Sequence, residues 1–253
     1  YVLWENVTFA ALTIQARKTS TERPFITGLQ IVEVAVPDIA EQNIGINFNS
    51  STAEDVDLVT SSAGAVPQGN WNNVSNNTGS VAGSVLEDSG ATLEGMSVSW
   101  SGDAAHSVGG ASGTGQGDDT ALMHGGFEVQ DLTYTGDNEI TLTGIPYVEY
   151  DLYVYVSGWN AGRTGEAQLE VGGSVVSGSQ RQFQGLGTQF VDGTHTHSES
   201  SGTSDVGTYV LWKDQTATDL VVQAKNLVNG TQPFIVGLQL VKTPPRGTVI
   251  AIH

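Results

Sequence analysis

Tyr209-Val210-Leu211-Trp212, Leu220-Val221-Val222-Gln223-Ala224-Lys225 and Pro233-Phe234-Ile235-Val236-Gly237-Leu238-Gln239-Leu240-Val241 are three apolar runs separated by turn residues. The same three runs open the chain, as Tyr1-Val2-Leu3-Trp4, Leu12-Thr13-Ile14-Gln15-Ala16-Arg17 and Pro24-Phe25-Ile26-Thr27-Gly28-Leu29-Gln30-Ile31-Val32. One extra loop residue separates the copies. A weaker echo links Ile44-Gly45-Ile46-Asn47 to Ile250-Ala251-Ile252-His253. A fixed period marks an array of like units. The expected organisation is therefore the C-terminal strands of one repeat (1–34), a linker (35–43) and a complete repeat (44–241). A Pro-rich linker (242–248) and the first strand of a following repeat (249–253) complete it.

Within the complete repeat, apolar residues alternate with period two and no long 3.6-residue stripe occurs, which is the pattern of strands. The strongest strand is Tyr150 to Val156. Leu152, Val154 and Val156 share one face and Tyr153 and Tyr155 the other, so a central strand covered on both sides is expected. Met96, Val98 and Trp100 alternate in another strand. Further strands are expected from Phe127 to Tyr134, from Glu139 to Leu142, and through Ala167, Leu169 and Val171. Gly172-Gly173 is a two-residue hairpin signal. Residues 49–94 read as a long polar region, and Ala121-Leu122-Met123 as a short segment before a strand. Many short strands with Gly-rich turns predict an all-β fold: an antiparallel two-sheet sandwich, most simply a jelly roll, within a tandem-repeat fragment. The first and last strands of the repeat, through Ile46 and through Phe234 to Val241, are expected to be neighbours.

Composition narrows the function classes. Nine Lys+Arg against 27 Asp+Glu give a net charge of −18, which disfavours nucleic acid and anionic membrane. Charged residues are only 14% of the chain, so Ser, Thr, Asn, Gln and Gly supply most of the polar surface. Such a surface suits secreted β proteins, glycan contact or lateral packing. With no Cys, disulfides, thiolate metal sites and a cysteine nucleophile are excluded. No apolar run is long enough to span a bilayer as a helix.

Ile46-Asn47-Phe48, Val66 to Asn73, Leu122-Met123-His124-Gly125, Tyr150 to Tyr155, Arg163-Thr164-Gly165 and Pro233 to Val241 together resemble the jelly-roll repeat domains of large bacterial surface and secreted proteins, including exosortase-sorted and autotransporter-like ones. They are similar in pattern to galactose-binding-like and malectin-like modules. The resemblance implies a jelly roll and an extracellular or cell-surface location. It also implies that a structural calcium is a candidate cofactor. Similar domains often carry a basic residue just before the final Pro-x-Ile. Arg23 keeps it, whereas the complete repeat has Gln232 there.

Two readings stand open for several residues. Trp71 and Trp159, in polar surroundings with Asn160, could stack on a sugar ring or could pin their loops through the indole N–H. Trp4, Trp212 and Trp100 read as core. Arg163 could clamp a hydroxyl pair or carboxylate of a ligand, or sit in a buried ion pair. Asp118-Asp119 and Asp55 with Asp57 are the calcium candidates, because that cation takes hard oxygen ligands; solvated turn aspartates are the other reading. His195 and His197, with Glu199, could hold a transition metal or lie in a polar loop.

Gly109-Gly110-Ala111-Ser112-Gly113 lacks the strand–turn–helix context of a nucleophile elbow. No catalytic pattern stands out, so a non-enzymatic role is expected. The leading expectation is an extracellular structural repeat of a long bacterial surface or fibre-forming, adhesin-like protein. Its like units would assemble head to tail by β-strand contacts, with Val249, Ile250, Ala251 and Ile252 pairing beside a strand such as that of Phe25 and Ile31. The alternative is a carbohydrate-binding module that recognises polysaccharide through Trp71, Trp159, Asn160 and Arg163.

Overall fold

A computed structural model of the chain describes residues 42–49, 58–107, 118–158, 161–186, 198–200 and 207–243. These fall within one unit, Asp38–Thr243. The expectations placed on residues 1–34, 249–253, Asp55, Asp57, Trp159, Asn160, His195 and His197 lie outside the described residues. In chain order the strands begin with β1 (Ile44–Asn49), β2 (Trp71–Ser75), β3 (Thr78–Ala82), β4 (Val85–Leu86), β5 (Thr92–Leu93), β6 (Ser97–Ser101) and β7 (Ala105–Ser107). Helix α1 (Asp118–His124) follows, then β8 (Gly125–Glu128), β9 (Glu139–Thr143), β10 (Tyr150–Ser157), β11 (Ala161–Val171) and β12 (Ser174–Val175). The series ends with β13 (Arg181–Leu186), β14 (Tyr209–Gln215), β15 (Leu220–Asn226) and β16 (Phe234–Lys242).

Eight of these strands make a jelly roll. In one sheet the order is β1-β16-β10-β14, and in the other β9-β15-β11-β13. The chain crosses between sheets at nearly every step, from β1 to β9, β9 to β10 and β10 to β11, which is the jelly-roll winding. The remaining large-sheet strands extend this frame. β8 pairs antiparallel with β16, β6 and β3 continue outward from β9, and β2 alone among the described strands pairs in parallel, with β1. As expected, first and last strands are neighbours, with Ile44 opposite Leu240 and Ile46 opposite Leu238.

β10 is the buried strand its sequence announces. Leu152, Val154 and Val156 enter the core between the sheets, while Tyr153 and Tyr155 enter a second apolar cluster on the outer side of the first sheet. β16 serves both clusters by an irregularity. Its register against β10 slips between Tyr155 and Val156, so Phe234 and Val236 face outward with Tyr155, whereas Ile235 joins Leu238 and Leu240 inside. A bulge of this kind re-aims side chains without ending the strand. Gly172 and Gly173, both at positive φ, close the β11–β12 hairpin as a two-residue turn.

Three readings need correction. The polar region 49–94 contains β2 to β5. The run from Phe127 to Tyr134 is a strand only as far as Glu128: the Val129 N–H still donates to the Pro233 carbonyl at 2.9 Å, but Pro233 has no N–H to return. Trp71 lies at the start of β2, not in a loop.

Candidate functional site

The sequence motifs converge on the outer side of the first sheet. Strand alternation sends Gly45, Asn47, Tyr155, Gly237 and Gln239 to that side, opposite the inter-sheet core. A hairpin formed by Ala63 and Gln68, bonded both ways at 3.1 Å, and helix α1 cover them. Glycine is required where the covers touch down. A Cβ on Gly45 would lie 2.6 Å from the Trp71 ring, and one on Gly237 would lie 2.7 Å from Leu122 of the helix. The paired strands therefore leave a seat for each.

The seat is fastened by polar groups. The Tyr155 hydroxyl donates to Gln239 Oε1 at 2.8 Å and accepts the Ala65 N–H at 2.7 Å. Gln239 Nε2 donates to Gln68 Oε1 and to the Val66 carbonyl, each at 2.7 Å. Gln68 Nε2 donates to the Asn70 carbonyl, and Trp71 Nε1 to the Gln68 carbonyl at 3.1 Å. Asp119 Oδ1 accepts the Gly64 N–H at 2.8 Å, tying hairpin to helix. Burial, more than any neighbour, drives the Tyr155 pKa far above the ordinary phenol value, so its proton stays available for donation. These donors and acceptors point at one another, and the arrangement is a latch.

Asn72 and Asn73 explain how so polar a strand stays ordered. Asn72 accepts the Leu86 N–H at 2.8 Å and donates to the Leu86 carbonyl at 2.9 Å. Asn73 accepts the Val59 N–H at 2.9 Å and donates to its carbonyl at 3.0 Å. Each amide reads both polar groups of one residue, as a neighbouring strand would. The free edge of β2 is thereby closed.

Trp71 is only 5% exposed and stands edge-on to Tyr155, with ring centroids 6.1 Å apart. Its ring is buried, and its N–H pins the covering hairpin through the Gln68 carbonyl. Trp100 and Trp212 are buried as expected, donating to the carbonyls of Asn76 and Ser179. Arg163 is buried at the start of β11 and donates through Nη1 to the Gln232 carbonyl at 2.6 Å and Gln232 Oε1 at 3.3 Å. Burial lowers its pKa, and the Glu128 carboxylate opposes that shift. Gln232 is its hydrogen-bonded partner and Glu128 the nearby charge. Gln232 is the position where the other copy carries Arg23; two guanidinium groups facing each other there would repel.

Of the calcium candidates, Asp118 is placed as the first residue of α1, and Asp119 is engaged by Gly64. Among the described residues no three His, Cys, Asp or Glu side chains group as a metal site. No helix among them is long and apolar enough to cross a membrane.

The outer side of the second sheet carries polar cross-strand rows. One cross-strand row runs Ser80, Ser99, Thr141, Val221 and Glu170. The next runs Thr78, Ser101, Glu139, Gln223 and Gln168. Glu166 is the one carboxylate there gripped from three sides, by Lys225 Nζ at 2.9 Å, Tyr134 at 2.9 Å and Gln182 at 3.1 Å. A shallow recess of about 90 Å³ lies between Thr141, Glu170, Gly173 and Asp219. Sequence reasoning missed both the latch and this face. The alternation of Ser and Thr with apolar residues in β6 and β9 was the available signal.

No protein-family model matches the chain, and no curated protein matches it. Among solved structures it is similar to protein YxiM of Bacillus subtilis, at 14% identity over 82% of this chain and 42% of that one, with a TM-score of 0.37. It is also similar to the catalytic unit of a thermostable GH87 α-1,3-glucanase from Streptomyces thermodiastaticus (12% identity, 67% of this chain and 26% of that one, TM-score 0.31). A third is an Arthrobacter globiformis isomalto-dextranase complexed with panose (13%, 65% and 23%, TM-score 0.27). The chain spans less than half the length of each. These are distant β-rich neighbours, and at such scores they carry no argument about function.

Proposed function

We propose that the chain is a stretch of an extracellular structural protein, a bacterial surface or fibre-forming array whose like units join head to tail through β-strand contacts. The observation that carries this reading is the β1–β16 pairing inside the first sheet, taken with the repeated sequence. Residues 24–32 repeat the sequence of 233–241, which holds most of β16, and residues 250–253 echo more weakly the start of β1. In the β1–β16 register Ile250 would stand opposite Ile31, Ala251 opposite Gln30 and Ile252 opposite Leu29. A strand of that composition added beside an open β16-like edge gains main-chain hydrogen bonds and covers apolar side chains. Repetition without closure gives a fibre.

The residues expected to serve a glycan favour the same reading. Trp71 and Arg163 are spent on holding the sandwich together, which leaves Trp159 and Asn160 as the candidates of a carbohydrate-binding module. Sedimentation of the full chain against a form lacking residues 249–253 tests the proposal. The full chain should associate with rising concentration and the shortened form much less. Equal association of the two would overturn it.

A further inference from the structure

The sheet edges are not treated alike. On the first sheet, β2 is closed by the amides of Asn72 and Asn73, and β14 is met by Glu199 and Ser200, whose N–H donates to the Tyr209 carbonyl at 2.8 Å. On the second sheet, β12 is two residues long, and β13 begins with Arg181 and gives its Gln182 carbonyl to the Ser200 hydroxyl. Short strands, charges and covering segments are the ordinary defences against edge pairing. Among the described residues β3 has none of them. It pairs with β6 on one side, and among the described residues no strand pairs with its other side.

The register tells which groups that edge presents. The Gly83 N–H donates to the Met96 carbonyl at 3.2 Å. Pairs two apart repeat this bonding in an antiparallel ladder. Val81 with Val98, and Gly79 with Trp100, are therefore the bonded pairs. The N–H and C=O groups of Thr78, Ser80 and Ala82 then point away from β6, and their side chains are exposed. Neither β3 nor β6 holds a charged residue, a proline or a bulge, in a chain of net charge −18.

We propose that β3 is a lateral interface on which a second copy of this chain pairs, antiparallel, edge to edge. The edge is self-complementary about Ser80. With Ser80 opposite the second copy's Ser80, Thr78 falls opposite the partner's Ala82, and all three outward pairs bond in both directions. Val81, half-buried against the core, then lies beside the partner's Gly79 and is covered further. Charge selects the partner. Two copies at −18 repel over most approaches, and least where two adjacent strands carry no charge. The joined sheets would run continuously, with their rows of Ser and Thr in line. The contact uses no residue of 249–253, so it stands apart from the head-to-tail contact.

The test uses the full chain and its lack of cysteine. Ser80→Cys should give disulfide-linked dimers under mild oxidation, whereas Thr143→Cys, exposed on the same sheet, should stay monomeric. Ser80→Pro removes an outward N–H without touching the β6 ladder, so it should fold and weaken self-association by about tenfold or more. Removal of residues 249–253 should leave the Ser80→Cys cross-link intact. Equal cross-linking at both positions, or none at Ser80→Cys, would overturn the proposal. So would a natively folded Ser80→Pro that sediments as the parent does.

Discussion

The Tyr155 hydroxyl stands between Gln239 and the Ala65 backbone, giving one hydrogen bond at 2.8 Å and receiving one at 2.7 Å. One atom thus joins the central strand, the last strand and the covering hairpin. Tyr155→Phe leaves a buried amide oxygen and a half-buried N–H each short of a partner. The expected cost is about 1–3 kcal/mol, read as a lower denaturation midpoint. Amide exchange at Ala65 should speed up more than exchange in β11. An unchanged midpoint would show that the latch is not closed in solution.

Trp71 fills the seat above Gly45, so Trp71→Ala opens a cavity there. Large-to-small changes of this kind cost about 3–5 kcal/mol. Trp71→Phe keeps part of the packing and loses the rest together with the bond to the Gln68 carbonyl, so it should fall between. Chemical denaturation of the three proteins gives the order. A ligand-stacking Trp would show the opposite signature, with stability unmoved and binding lost.

Arg163→Met takes the guanidinium from the Gln232 carbonyl and removes a positive charge near Glu128. A loss of about 1–3 kcal/mol is expected. Arg163→Lys should recover only part of it, because one ammonium cannot reproduce the fork. Full recovery by lysine would reduce the site to a simple charge.

Two carboxylates on the second sheet should respond to pH in opposite senses. Burial pushes Glu166 up, but Lys225, Gln182 and Tyr134 outweigh it and hold its pKa below the ordinary carboxylate value. A depressed folded pKa gives stability that is present above the unfolded value, about 4.3, and lost as pH falls through the folded one. Glu139 is raised by burial and by Glu170 and Asp137, so its ionisation costs stability as pH climbs past about 4.3. Glu166→Gln should therefore flatten the loss of melting temperature in acid. Glu139→Gln should raise the melting temperature at neutral pH and leave it unchanged near pH 3. The reverse pattern would contradict the placement of both side chains.

The jelly roll was legible where packing alone determines the strand. β10 shows two apolar faces in its sequence, the repeated ending spells β14, β15 and β16, and Gly172-Gly173 marks its own turn. The long polar region hid β2 because asparagine amides, and not alternation, close its edge. For the same reason Trp71, set among Asn70, Asn72 and Asn73, left two readings open, because nothing in the sequence shows that Asn72 and Asn73 bond to Leu86 and Val59. Helix α1 has seven residues, too few for a periodic stripe to show. For Arg163 the sequence offers a ligand clamp or a buried ion pair, and its bonds to the Gln232 carbonyl and side chain are ones that no charge pattern reveals.

Electron microscopy of the purified chain at high concentration tests the structural reading most directly. The account predicts linear assemblies of sandwich-sized units that shorten or vanish when residues 249–253 are removed. Dispersed single particles at every concentration, unchanged by that removal, would contradict it.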